Sequence, residues 1–92
     1  MIHELKTLPE YFILTAEGCK SFEVRKKDRP FQAGDYVALN EWENGRYTGR
    51  CMLCKIAIIF SDLSYCKEGY VILGLFPCSI GQTDEFSVYD RG

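Results

Sequence analysis

The period of the hydrophobic pattern changes once along this chain, at Gly18, and this change limits the folds that the chain can adopt. The residues of the less polar face before Gly18 recur at helical spacing, at Leu8, Tyr11, Phe12 and Thr15. After Gly18 the period is two, with Phe22 and Val24 on one side of the chain and polar residues on the other. The pattern therefore predicts one helix, over residues 8–17, followed by strands.

The predicted helix has signals at both ends. At its start, Thr7 and Glu10 have the spacing of a capping box, in which each side chain accepts a hydrogen bond from the backbone N–H of the other. Pro9 lies in the first turn, where its missing N–H is not needed. At its end, Gly18 suits the left-handed position that commonly terminates a helix. These signals make the helix the most clearly defined element of the sequence.

Five segments have the alternation or the apolar content of β-strands: residues 2–5, 21–27, 37–43, 46–60 and 69–76. Asn44 and Gly45 give a strong hairpin-turn signal between the third segment and the fourth. About five to six strands and one early helix in 92 residues indicate an α+β fold that is mainly β. We expect a small β-barrel that is closed or nearly closed.

Length and composition indicate one folded domain with a short tail. The chain has 92 residues, of which 47% are hydrophobic and 26% charged, as in ordinary globular domains. Residues 1–78 are expected to form the domain, because Pro77 breaks the last predicted strand. Residues 79–92 hold three acidic residues and one basic residue, and we expect them to be a flexible, acidic tail.

No segment has the features of a membrane span or of a secretory signal. The longest apolar run covers residues 56–60, far below the roughly 18 residues that a membrane span needs. Residues 1–6 alternate between apolar and polar, unlike the hydrophobic part of a signal peptide. We therefore expect a cytoplasmic protein without membrane contact, and we favour a monomer.

The chain has five cysteines, at positions 19, 51, 54, 66 and 78. An odd number without a secretory signal indicates reduced thiols. Cys51 and Cys54 form a CxxC motif, but they lie in a predicted strand, where positions three apart point to opposite faces. The spacing therefore does not favour a metal site, and we expect neither a metal nor a cofactor.

The charge of the chain is unevenly distributed. The net charge of −2 argues against tight, unspecific binding of nucleic acid. Residues 20–29, however, hold five basic residues and two acidic ones. An anionic partner should therefore meet this segment; the alternative is a solvated hairpin edge that binds nothing.

Lys20, Glu23 and Arg25 form the most informative group in that segment. Two positions apart on a strand, Glu23 and Arg25 share one face and lie about 7 Å apart, with Lys20 at the mouth of the strand. Lys20 and Arg25 suit a phosphate, and Glu23 suits a base amino group or a bound water. The group predicts a site for RNA or a nucleotide-like ligand; the alternative is an Arg–Glu surface pair that only fixes the strand.

The same segment resembles a known family signature. Gly18, Lys20, Glu23 and Arg25 match the G-x-K-x-x-E-x-R signature of ASCH domains, which belong to the PUA-like superfamily. Further blocks resemble the small ASCH-like family DUF3850 of bacteria and phages: residues 1–6, 9–12, 22–25, 28–29, 34–35, 47–50, 68–71 and 73–74. The resemblance covers about residues 1–76. It implies a PUA-like β-barrel, a signature that lines a cleft between helix and barrel, and a role in RNA binding.

One branch of ASCH proteins is enzymatic, and its resemblance implies an alternative function. These small amidohydrolases remove the acetyl group of N4-acetylcytidine with a lysine, a threonine and a glutamate. The lysine corresponds to Lys20, whereas Glu23 takes the place of the threonine, and Glu68 matches the glutamate only loosely. Ser21 is a substitute hydroxyl one step from the required place. The alternative to RNA binding is therefore an amidohydrolase for modified nucleosides.

Several other residues have a functional interpretation and a structural one. Trp42 and Tyr47 flank the Asn44–Gly45 turn and either stack on bases or pack against each other across the strands. Arg29, Arg46 and Arg50 either extend a cationic face for a phosphate backbone or serve only solubility. A third function class is a protein-interaction module that uses residues 56–60 as an exposed strand edge.

Overall fold

The computed structural model of the protein describes residues 1–76 and the backbone of residues 79–82. The elements in chain order are β1 (Ile2–Thr7), α1 (Pro9–Ala16), β2 (Phe22–Lys26), β3 (Tyr36–Glu43), β4 (Arg46–Phe60), β5 (Tyr70–Leu75) and β6 (Ser79–Gln82). The change from helical to strand period at Gly18 is confirmed, as is the mainly β fold with one early helix. Residues 79–82, which the sequence assigns to the tail, form β6, whereas residues 77–78 and 83–92 lie outside the described part.

The six strands form one mixed sheet in the order β1-β3-β4-β5-β2, and β6 pairs with β4 off this path. β1 is parallel to β3, and the other pairs are antiparallel. Among the described strands, β1 pairs only with β3 and β2 pairs only with β5. The sheet is therefore not closed, and its open line lies between the edges of β1 and β2. We call this line the seam.

Two arginine side chains bridge the seam where a backbone ladder would close a barrel. Arg25 Nη2 donates to the carbonyl oxygen of Lys6 at 2.8 Å, and Arg29 Nη1 donates to that of Glu4 at 3.3 Å. The carbonyl of Met1 accepts from Tyr36 on β3. Because successive carbonyls of a strand point to opposite sides, those of residues 4 and 6 point away from β3 and towards β2.

The core lies on one face of the sheet, beneath α1. Phe12 is the helix residue that is fully buried there, and strand residues from β1, β3, β4 and β5 surround it. The strand members are Leu5, Val37, Leu39, Met52, Cys54, Ile56, Val71, Leu73 and Leu75. Burial alternates along β1, so that Leu5 and Thr7 face the core while Lys6 is exposed. This alternation sets the direction of the side chains at the end of β1.

The predicted capping box is wrong. Leu8 is the N-cap of α1, and no side chain makes a capping hydrogen bond. Thr7 instead belongs to β1, where it is in register with Glu41 of β3, and this pairing turns its side chain to the buried face. The helix end agrees with the prediction: Gly18 has a φ of +77°, and the N–H of Lys20 donates to the carbonyl of Leu14 at 3.1 Å.

The predicted hairpin is confirmed. Asn44 and Gly45 have φ values of 53° and 81°, as expected of a two-residue turn that matches the twist of the strands. β4 begins directly after this turn, at the residue that the sequence predicts. The register of β3 against β4 shifts between Asn40 and Trp42, where residues 48–50 of β4 lie opposite Glu41 alone.

Cys19 and Cys66 are free thiols, whereas Cys54 is disulfide-bonded. The expectation of reduced cysteines is therefore wrong for Cys54. Within residues 1–76 and 79–82, no group of three or more His, Cys, Asp or Glu residues is arranged to hold a metal ion. The helix of the described part has eight residues and is too short to cross a membrane.

Candidate ligand-binding cleft

A cleft of about 680 Å³ opens along the seam, between the end of β1, helix α1 and strand β2. Its lining is Lys6, Thr7, Leu8, Tyr11, Leu14, Cys19, Lys20, Phe22, Glu23, Val24 and Arg25. The structure thus brings Lys20, Glu23 and Arg25 together in one cavity. Most of the wall is apolar, and its charged residues are these three and Lys6.

Glu23 is the centre of the charged group. Its side chain is 5% exposed, and Arg25 donates to Oε1 from Nη2 at 2.8 Å and from Nε at 3.1 Å. Lys20 Nζ donates to Oε2 and to the carbonyl of Phe22. A carboxylate this deeply buried needs such partners, because the charge has lost its contact with water. The group carries two positive charges and one negative charge.

Local sequence places these side chains. The left-handed Gly18 ends α1 and reverses the chain, so that Lys20 lies beside the last turn of the helix. Alternation along β2 then turns Glu23 and Arg25 towards the cleft floor and leaves Phe22 and Val24 exposed. The predicted common face of Glu23 and Arg25 is confirmed.

The hydrogen bonds indicate different roles for the three residues. Arg25 and Lys20 occupy three of the about four acceptor positions of the Glu23 carboxylate, so about one is left for a base amino group. Lys20 and Arg25 are 15% and 25% exposed and have donors left over from these bonds. The geometry therefore favours Glu23 as a positioning residue and Lys20 with Arg25 as the side chains that meet an anion.

Two aromatic rings flank Lys20 at the mouth of the cleft. Lys20 Nζ lies 5.9 Å from the ring centroid of Tyr11 on α1 and 5.1 Å from that of Phe22 on β2. The two side chains are 47% and 45% exposed. Sequence reasoning singled out neither ring as part of the site. The signal for Phe22 is its place between Lys20 and Glu23, on the strand face opposite to Glu23. The sequence places Tyr11 on the less polar face of the helix and gives no further signal for it.

The sequence suggests Trp42 and Tyr47 as rings that stack on bases. Neither residue lines this cleft. They pair across the β3–β4 hairpin, with ring centroids 4.8 Å apart at an angle of 78°. Lys6 Nζ lies 4.0 Å above the Trp42 ring. Their contacts fit the alternative interpretation, in which an aromatic pair stabilises the hairpin.

Arg29 and Arg50 also lie outside the cleft lining. Arg29 bridges the seam to β1 and lies 3.6 Å from Asp28. Arg50 Nη1 lies 3.7 Å from Glu41 Oε1, and its guanidinium lies 4.8 Å from the ring of Phe12. Neither arginine is needed to complete the group around Glu23.

The residues of the amidohydrolase alternative are not all brought together. Lys20 and Glu23 are in contact, but Ser21 and Glu68 are exposed and line no part of the cleft. Glu68 lies in the connection between β4 and β5. The structure therefore places no serine or threonine hydroxyl in hydrogen-bond contact with Lys20 or Glu23 among the described residues.

The third function class depended on residues 56–60, and these form the end of β4. Ile56 is buried, and this part of the strand pairs with β5. Ile58 and Phe60 are exposed on the outer face, where β2 contributes Phe22 and Val24. The structure thus shows a half-apolar outer sheet face. β5 occupies one edge of residues 56–60, and on the other edge the described backbone hydrogen bonds end at Ile56.

A second charged group ties the start of β1 to the turn before β3. Asp35 accepts hydrogen bonds from His3 Nε2 at 2.8 Å and from the N–H of Gln32 at 3.1 Å, and the N-terminal amine lies 3.5 Å away. The hydrogen bond from His3 is the main reason that the pKa of Asp35 is lowered. None of these residues lines the cleft, so we assign this group to the stability of the fold.

Comparison with known proteins adds the family. The sequence matches the family described as "Domain of unknown function (DUF3850)" over residues 2–75, which include every residue of the cleft lining. It is also 46% identical over 72 residues to a protein of Escherichia phage P2 named "Uncharacterized 12.9 kDa protein in GpA 3'region". This alignment covers 78% of the chain but 65% of the phage protein, so the chain spans less than two thirds of that relative. From the extent of the first match, the chain belongs to the DUF3850 family.

Proposed function

We propose that the cleft binds a nucleotide unit, either within RNA or as a free nucleotide. The observation that carries the proposal is the arrangement of Lys20 and Arg25, held side by side on Glu23 beneath two half-exposed rings. The cations offer charge-assisted donors to a phosphate. The rings of Tyr11 and Phe22 offer faces on which a base can stack.

Charge and volume support this ligand over other anions. A site for a small inorganic anion needs donors but no apolar wall, whereas this cleft has both over about 680 Å³. A nucleotide combines one anionic group with a flat, weakly polar base. The lining likewise combines the cations Lys20 and Arg25 with an apolar wall that includes the rings of Tyr11 and Phe22. Glu23 reduces the positive charge of the Lys20–Glu23–Arg25 group to +1, which favours contact with a few phosphates over contact with a long row of them.

We also propose that the fold is PUA-like. The Gly18–Arg25 signature resembles that of ASCH domains, and the position of the cleft between helix and sheet is the one that this resemblance implies. We therefore treat the open sheet as a PUA-like barrel whose last closure is made by side chains. The resemblance and the cleft geometry are independent supports, since one comes from sequence and the other from packing.

A net charge of −2 and a local cationic group predict modest affinity with a shallow salt dependence. Contact with about 2–4 phosphates gives a slope of log K against log salt of about −1.5 to −3 for a single strand. A slope that corresponds to about eight contacts or more would contradict binding in a local cleft. The slope thus separates this site from a broad basic surface.

The test is fluorescence anisotropy with short labelled single-stranded and hairpin RNAs, at two salt concentrations. Wild type is compared with Lys20→Ala/Arg25→Ala and with Arg46→Ala/Lys55→Ala, which removes the same charge away from the cleft. We expect the first double variant to lose binding and the second to bind as wild type does. Equal weakening of both would show that only net charge matters.

Competition distinguishes the sources of the nucleotide unit. If unlabelled nucleoside 5′-monophosphates displace the labelled RNA at concentrations similar to those of unlabelled RNA, the site is one for free nucleotides. Displacement only by RNA would assign it to the polymer. Absence of binding by wild type in every experiment contradicts the proposal. Release of acetate from N4-acetylcytidine by wild type, but not by Lys20→Ala, would favour the amidohydrolase.

A further inference from the structure

Thr7 has a buried hydroxyl without a partner in the wall of the cleft. The residue is 4% exposed, and Oγ1 makes no hydrogen bond within the part of the chain that the structure describes. Thr7 is also one of the residues that line the cleft. Buried polar atoms of this kind are rare in folded proteins, and each one needs a specific explanation.

Folding alone does not account for the hydroxyl. It does not cap α1, because the N-cap is Leu8 and no side chain makes a capping bond. Thr7 occupies a buried strand position, where valine has nearly the same shape, a similar preference for strands and no polar atom to leave unpaired. The hydroxyl is therefore unfavourable for stability at this position.

The position of Thr7 connects it with the anion-binding side chains. Arg25 Nη2 donates at 2.8 Å to the carbonyl oxygen of Lys6, the residue before Thr7. Bond lengths and the planar peptide keep Thr7 Oγ1 within about 5 Å of that oxygen. Arg25 in turn shares Glu23 with Lys20. The hydroxyl thus lies within reach of a group that Arg25 binds.

We propose that Thr7 is a third binding residue of the cleft, whose hydroxyl donates a hydrogen bond to the phosphate that Lys20 and Arg25 attract. This inference rests on the proposed nucleotide-binding function and assigns one more contact to it. Threonine hydroxyls are common phosphate donors. Because Oγ1 is buried in the structure, binding has to uncover it, through rotation about χ1 or movement of the adjacent wall.

Thr7→Val and Thr7→Ser separate the hydroxyl from the shape of the side chain. We expect Thr7→Val to weaken binding of the labelled single-stranded RNA about tenfold, as for the loss of one hydrogen bond to a charged group. Thr7→Ser should bind within about twofold of wild type. In thermal unfolding, Thr7→Val should be at least as stable as wild type, because no hydrogen bond is lost in the free protein.

Competition by nucleosides and by nucleoside 5′-monophosphates identifies the group that Thr7 contacts. Thr7→Val should weaken competition by the monophosphates and leave competition by the nucleosides unchanged. An equal loss for both would assign the hydroxyl to base or sugar and overturn the phosphate contact. The same experiment therefore tests the chemistry of the contact as well as its existence.

The remaining outcomes are also decisive. Unchanged affinity of Thr7→Val, with binding lost in Lys20→Ala/Arg25→Ala, overturns the role of Thr7 and leaves the proposed function intact. Weaker binding together with a lower melting temperature assigns Thr7 to the structure alone. Wild type that binds no RNA and no nucleotide overturns both proposals at once.

Discussion

Glu23 is buried, and cations from two and three residues away bind both of its carboxylate oxygens. Its charge therefore has two effects. It offsets the repulsion between Lys20 and Arg25, and it fixes their positions at the cleft. We expect such a residue to contribute to stability and, under the proposed function, to binding without touching the ligand.

Glu23→Gln keeps the shape of the side chain and removes the charge. We expect it to lower the free energy of unfolding by about 1–3 kcal/mol, less than for a fully buried pair because both cations are partly exposed. RNA affinity should also fall, although the net positive charge rises. Urea unfolding and anisotropy measure the two effects, with the exposed Glu43→Gln as control. Tighter binding by Glu23→Gln would show that charge matters more than position.

Tyr11→Ala and Phe22→Ala test the stacking surface. Each should weaken RNA binding about fivefold or more, as expected for the loss of a ring that stacks on one base. Both rings are about half exposed, so unfolding should change little. Tyr65→Ala removes an exposed ring outside the cleft and should bind as wild type does. Equal affinities for all three variants would contradict stacking at this mouth.

At the scale of elements, α1 matters through the way in which it ends. Gly18 has a φ of +77°, a conformation that L side chains rarely adopt, although an added Cβ would meet no atom within 4 Å. Gly18→Ala should therefore cost about 1–2 kcal/mol through backbone strain alone. Urea unfolding checks this value, and Gly18→Asn should recover part of it, because asparagine tolerates the conformation better. A cost near zero would show that the turn relaxes.

The elements also show what local sequence can predict. The helix, the Asn44–Gly45 turn and the start of β4 depend on neighbours in sequence, and all three were predicted. The capping box failed because a pairing with β3 decides the conformation of Thr7. Local pattern cannot report a partner strand that lies some 30 residues away.

The site follows the same division. Lys20, Glu23 and Arg25 are close in sequence, and strand alternation was enough to bring Glu23 and Arg25 together. The ring of Tyr11 reaches the cleft only because α1 packs beside β2, and Thr7 reaches it only through the sheet. Helical periodicity assigned Tyr11 to a packed face, since it cannot show where the sheet leaves that face uncovered.

At the scale of the whole molecule, Asp35 connects the start of the chain to the turn before β3. Its lowered pKa means that it contributes stability above its unfolded value of 3.8, and that this contribution is lost as pH falls through the lower folded value. Urea unfolding between pH 5 and about pH 2 should therefore depend less on pH in Asp35→Asn than in wild type. Asp62→Asn, in the β4–β5 connection, is the control. Identical slopes for Asp35→Asn and wild type would contradict this role.

The seam has a mechanical consequence. Every other junction of the sheet is a ladder of backbone hydrogen bonds, and separating it means breaking the whole ladder at once. β1 and β2 are joined by side chains on flexible stems, so they can move apart by small torsional changes while every strand pairing stays intact. We therefore expect the wall of the cleft to widen more easily along the seam than across any of the backbone ladders that the structure describes.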